Sequence, residues 1–153
     1  MTPRSSNNDF RCIHCGNYVS ALQVVSGVHN RNHCPYCLWS RHLDLFTAGD
    51  RLSACKAPMR PIGLSMKPAH NKYAVTAGEL VLVHSCVDCG RISINRIASD
   101  DDADSLNDIF MASFNLAPAT HTMLMGSGIR LLDEADSGLV RQLVPQAGAL
   151  VSA

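Results

Sequence analysis

Arg31 to Ser40 reads RNHCPYCLWS, and its centre, Cys34-Pro35-Tyr36-Cys37, admits two readings. Alone, such a CxxC is a redox dithiol; paired with a second one, it is half of a metal clamp. The chain supplies the partner. Cys12 and Cys15 form another CxxC, and eighteen residues separate Cys15 from Cys34, a four-cysteine zinc spacing. Tetrahedral zinc needs four ligands at about 2.0–2.3 Å, which two facing turns provide.

Cys55, Cys86 and Cys89 remain, three ligands that need a fourth. His84 is the first choice, because residues 84 and 86 of an extended strand point to the same side. His42 and His70 compete with it. One or two zinc ions are therefore expected, and spacing alone leaves iron open. An internal echo supports this: RCIHCG at 11–16 and SCVDCG at 85–90 share x-C-x-x-C-G. The closing glycine suits the left-handed backbone that such a turn often needs. Four thiolates fill the first site, so its metal is read as structural rather than catalytic.

With 153 residues and seven cysteines, the chain is long enough for one domain and has an odd count that fits a disulfide framework poorly. No run of 18 apolar residues predicts a membrane span. The first residues, MTPRSSNNDF, lack the apolar stretch of a secretory signal. A cytoplasmic protein with reduced thiols is expected. Zero net charge hides a polarity. Residues 1–99 carry eleven Lys/Arg against five Asp/Glu, or +6, and residues 100–153 carry two against eight, or −6.

Residues 1–9 are polar and read as a flexible N-terminus, 10–116 as a zinc-binding domain, and 117–153 as an extension, partly disordered or helical. The apolar run Val19–Val25, the segment Glu79–Val83 and the alternation around Ile92 and Ile94 predict short strands. Pro58, Pro61 and Pro68 argue against a long helix over 55–71. Leu106, Ile109, Phe110 and Phe114 recur at helical spacing behind a cluster of acids, predicting a helix over about 104–116. A second helix is weakly signalled over 131–144. The fold class expected is a small α+β, mainly β, zinc-ribbon-like domain of short strands and knuckles with a C-terminal helical appendage.

The run RNHCPYCLWSRHLD, Arg31 to Asp44, resembles the signature of the RNHCP domain family. Further agreements follow in order: Gly49-Asp50-Arg51, Cys55, Met59, Pro61-Ile62-Gly63, His84-x-Cys86-x-x-Cys89-Gly90, Asn95-Arg96-Ile97-Ala98 and Asp101-Asp102. The resemblance covers about residues 10–116 and implies a zinc-ribbon-like, mostly bacterial domain without an established biochemical role. It implies zinc at Cys12, Cys15, Cys34 and Cys37 and keeps both His84 and His42 as ligand candidates.

Nucleic-acid binding, with structured or ribosomal RNA ahead of DNA, is the first functional expectation. Arg31, Arg41, Arg51, Lys56, Arg60, Lys67, Lys72, Arg91 and Arg96 are candidates for phosphate contact. Trp39, Tyr36 and Tyr73 are candidates for base stacking, although Trp39 could equally pack beside its knuckle. Two zinc–thiolate centres would lower the basic half from +6 to about +3, a mild excess. The alternative is a zinc-stabilised protein-interaction module, with the 104–116 stripe docking a partner or closing the core. Catalysis stands behind both. Thiol–disulfide exchange through Cys34 and Cys37 lacks the long helix that follows a glutaredoxin dithiol. A metal-dependent nuclease with His33 as base lacks a second convincing ligand cluster, and Asn32 and His33 equally suit support of the knuckle.

Overall fold

The computed structural model describes residues 9–20, 31, 33–43, 52–67 and 78–144. Strands β1 (Phe10–Arg11) and β2 (Tyr18–Val19) form a small antiparallel pair. Strands β3 (Ser40–Arg41), β4 (Pro58–Lys67), β5 (Glu79–Cys86) and β6 (Ile92–Arg96) form an antiparallel sheet in the order β3-β4-β5-β6. Helices α1 (Ala103–Ala112), α2 (Pro118–Gly126) and α3 (Ser137–Leu143) follow. The architecture is mixed α+β, a curled sheet with helices packed onto it. No helix among the described residues is long and apolar enough to cross a membrane.

The longest strand, β4, lies in the proline-rich segment that merely looked non-helical. Its prolines sit where a strand tolerates them. Pro58 is the first residue, and Pro61 borders the register shift between Pro61 and Gly63; starts and bulges are the places where the missing N–H costs least. The bulge also divides the core. Leu64 joins Leu38, Leu80, Leu82, Leu106, Phe110, Leu132 and Val140 in one cluster, while Ile62 joins Val83, Leu124 and Leu131 in another.

Helix α1 begins at Asp102, whose carboxylate accepts from Ser105 N at 2.9 Å, the usual N-terminal cap. Leu106 and Phe110, four residues apart, are buried, and Phe110 meets Phe114 edge to face at 4.9 Å. The 104–116 stripe therefore closes the core. The next helix, α2, was not anticipated; it starts at Pro118, a residue preorganised for a first helical turn.

Beyond the short β3, the edge of β4 is taken up by the C-terminal chain. Leu132 N donates to Leu64 O at 2.8 Å, and Ser65 Oγ donates to Arg130 O at 2.7 Å. Gly63 permits this close approach: a Cβ there would lie 2.8 Å from Leu131 Cδ2. The continuation of the Val19–Val25 run past Ser20 lies outside the described residues.

Candidate metal centres and their surface

Three CxxC turns recur with one hydrogen-bond pattern. Gly16 N donates to Cys12 O at 2.9 Å, Leu38 N to Cys34 O at 2.8 Å, and Gly90 N to Cys86 O at 3.0 Å. Each turn is closed by a second bond: Cys12 N to Asn17 O, Cys34 N to Trp39 O, and Cys86 N to Arg91 O, at 2.8, 2.9 and 2.9 Å. The residue after the second cysteine is left-handed in all three, with φ 79° at Gly16, 67° at Leu38 and 76° at Gly90. Leucine is strained there by about 1–2 kcal/mol. Complete burial of the Leu38 side chain in the main core offsets that by about 1.5–3 kcal/mol. CPYC is thus a knuckle of the same geometry as its two neighbours.

The first two knuckles face each other. Cys12, Cys15, Cys34 and Cys37 bring their sulfurs within 4.8 Å of one another, with Cys12–Cys37 at 3.5 Å and Cys15–Cys34 at 3.6 Å. All seven cysteines are free, and these separations far exceed a disulfide bond of about 2.05 Å. They approach the edge of a tetrahedron around zinc, about 3.8 Å for sulfurs at 2.3 Å. N–H groups of His14, Cys15 and Tyr36 point at the sulfurs of Cys12 and Cys34. Burial pushes Cys15 up, but Asn17, through main chain and side chain, and then Cys34 and Cys12 outweigh it and bring the thiol down to about 7. Burial pushes Cys37 well up.

The third knuckle completes a second tetrad with His42 and Cys55. His42, Cys55, Cys86 and Cys89 offer ligand atoms within 4.8 Å of one another. Cys55 lies 3.6 Å from Cys86, and His42 Nδ1 lies 3.4 Å from Cys89 Sγ. A nitrogen at about 2.05 Å and a sulfur at 2.3 Å from one zinc would be about 3.6 Å apart. Main-chain bonds hold the two single ligands together, His42 N to Ala57 O at 2.9 Å and Lys56 N to His42 O at 3.1 Å. Burial pushes Cys86 up, yet N–H groups of Cys89 and Asp88 and the side chains of Cys89 and His42 bring it down to about 6. Both donor sets fit a tetrahedral, thiolate-rich metal.

His42, rather than His84, is the histidine of this tetrad. His84 is fully buried on β5, its Nε2 2.7 Å from Leu38 O and its Nδ1 2.9 Å from Asn95 Nδ2. Burial, then the neighbouring His33, hold its pKa down to about 3 against the carbonyl of Leu38. The neutral ring therefore donates to Leu38 and accepts from Asn95. Same-side geometry at 84 and 86 did not predict this, because β5 runs straight into the core before the knuckle turns away. His70 lies outside the described residues.

The tetrads are joined by one short segment that contains β3. From Leu38 to His42 the chain alternates: Leu38, Ser40 and His42 are buried, Trp39 is half-buried and Arg41 exposed. Cys37 belongs to the first tetrad and His42 to the second. On the outer side, Trp39 stacks on His14, ring centroids 4.1 Å apart and planes inclined by 5°. His14 lay inside the first CxxC and was not singled out; a histidine in one knuckle and a tryptophan just past its partner were the available signal.

The basic candidates divide. Arg31 is buried, bonded to Asp100 and His33 O, so it cannot serve a phosphate from this position. Its neighbour His33 is 2% exposed, with Nε2 2.8 Å from Asp101 Oδ2. That ring, proposed as a nuclease base, is closed to substrate. Both residues tie the CPYC knuckle to the turn before α1, helped by Asp102 N to Pro35 O at 2.9 Å. Arg96 is exposed and ion-paired with Glu79. Arg41, Lys56, Arg60 and Arg91 are exposed. Arg41 Nε donates to Lys56 O at 2.8 Å. Tyr36 is exposed, whereas Asn32, Arg51, Lys72 and Tyr73 lie outside the described residues.

A family model described as the RNHCP domain matches residues 7–107. No curated protein and no solved structure matches the chain.

Proposed function

The chain belongs to the RNHCP domain family, and on that premise we propose that it is a zinc-folded nucleic-acid-binding module, with RNA ahead of DNA as its ligand and no catalytic role. The carrying observation is the placing of the exposed cations. Arg41 precedes His42, Lys56 follows Cys55, and Arg91 follows the Cys86–Gly90 knuckle, so each adjoins a part of the second tetrad. Arg60 stands on the same strand pair. In this reading the second ion, held by His42, Cys55, Cys86 and Cys89, fixes the loops that present the charges. The first, held by Cys12, Cys15, Cys34 and Cys37, fixes the knuckle beside them. Zinc suits both sets, since tetrahedral sites of cysteine with histidine are its commonest structural form. Thiols engaged as ligands are not available for disulfide exchange.

The test is binding of a labelled RNA hairpin to the zinc-loaded chain across a salt series. Three or four phosphate contacts would lower affinity by roughly 30- to 150-fold between 50 and 200 mM salt. A flat response, or no binding at low salt, sinks the reading in favour of a protein-interaction module.

A further inference from the structure

The outer side of the segment joining the tetrads gathers an aromatic stack and two guanidinium groups. Trp39 and Arg41 lie two residues apart on one side of that segment, a span of about 6.6 Å. The β3–β4 register pairs Ser40 with Met59 and Arg41 with Pro58. That pairing ends at Ser40 and Met59, and Trp39 and Arg60 are the next residues on the two sides of its end. The His14 ring covers one face of Trp39 and is itself exposed. Arg41 is held through Nε by the Lys56 carbonyl, which leaves its two terminal nitrogens without a partner among the described residues. A guanidinium anchored in that way presents its forked edge outward, the edge that matches a phosphate.

We propose that this surface takes an unpaired stretch of RNA, with one base continuing the stack on His14 over Trp39 and the phosphates on either side of it held by Arg41 and Arg60. This rests on the nucleic-acid reading above and narrows it from nucleic acid in general to single strands. Two features drive the choice. The aromatic faces can be reached only by a base free of its own helix, since bases within a duplex are already stacked. The two guanidinium groups come from neighbouring strands rather than from a broad basic plane, so they suit a single backbone. Charge complementarity selects an anionic occupant, and the stack selects one that carries flat rings.

The test compares a 12-nucleotide unstructured RNA with the same sequence in a perfect duplex, on the zinc-loaded full chain. Affinity is read by anisotropy, and the emission of Trp39, the one tryptophan of the chain, reports on the stack. The single strand should bind at least about tenfold more tightly than the duplex and change that emission. His14→Ala and Arg60→Ala should each weaken the single strand by about 5- to 100-fold, with zinc content and thermal midpoint unchanged. Arg60 lies outside every knuckle, so its variant carries the test if His14→Ala loses metal. Equal binding of strand and duplex, unaffected by His14→Ala and Arg60→Ala, overturns the base-stacking proposal while leaving a general nucleic-acid module standing. Binding of neither RNA overturns both.

Discussion

Arg31 Nη1 donates to Asp100 Oδ2 at 2.8 Å, and Nη2 lies 2.8 Å from Asp100 Oδ1 in the same ion pair. The Arg31 side chain is fully buried, and Nη2 also lies 3.5 Å from the buried Asp101. The arginine that opens the CPYC segment is therefore a brace between that knuckle and helix α1. Arg31→Ala leaves the Asp101 carboxylate with one fewer counter-charge inside the protein, and a loss of about 3–5 kcal/mol is expected. Arg31→Lys should recover only part of it, since a single ammonium cannot reach His33 O through one nitrogen and Asp100 through another. Urea denaturation of the zinc-loaded variants measures both; a change below about 1 kcal/mol in Arg31→Ala would contradict the brace.

The two histidines separate by metal count. Wild type should hold two equivalents of zinc after purification without added metal. His42→Ala should hold one. His84→Leu should keep two but lose about 1–3 kcal/mol, because Leu38 O and Asn95 Nδ2 are left unpaired inside the protein. Elemental analysis with thermal denaturation reads both effects, and loss of one zinc from His84→Leu alone would reverse the assignment.

Chelation should unfold the chain. The knuckles bury little apolar surface of their own: around Cys12 and Cys34 the buried cluster adds only Val19, with Phe10 beside it. Binding and folding then share one free energy, about 10 kcal/mol or more per structural site. A thiol reagent should react slowly with the zinc-loaded protein and rapidly with all seven cysteines after a strong chelator. Circular dichroism that stays native after chelation, with Cys34 and Cys37 cycling between thiol and disulfide, would restore the redox reading.

The C-terminal segment should be required for stability. Leu132→Ala removes a side chain 1% exposed in the main core and should cost about 2–5 kcal/mol. Gly63→Ala should cost about 1–3 kcal/mol, because the added methyl meets Leu131 and Ser113. A chain ending at 116 should fail to fold, even with zinc. If it gives a folded, zinc-loaded domain, residues 117–144 are a true appendage.

Much of this was legible before any coordinates. CxxC spacing brought out all four residues of the first tetrad and two of the second, because metal geometry restricts sequence spacing directly, and the count of remaining cysteines added Cys55. The fourth was ambiguous for a physical reason. His42 and Cys55 come together through main-chain bonds across the start of β4, a long-range arrangement that local periodicity does not encode. The helix at 103–112 was visible in its apolar spacing and acidic start, whereas α2 has almost no apolar side and buries only Leu124. Strand β4 was hidden because Pro58 and Pro61 suppress the usual strand signal, and only the strand start and the bulge explain their presence. Arg31 looked like a surface cation because sequence gives charge and not burial; its partners at Asp100 and Asp101 are 69 and 70 positions away.

The short segment around β3, with Cys37 at one end and His42 at the other, makes the two metal sites dependent on each other. An ion at the first site fixes the backbone of Leu38 to Arg41, and so removes conformational freedom that the second ion would otherwise have to remove. Zinc uptake by the unfolded chain should then be cooperative, with a steep isotherm and few half-loaded molecules. At limiting zinc such a chain would divide between fully loaded and empty molecules, keeping both metal sites together or losing both.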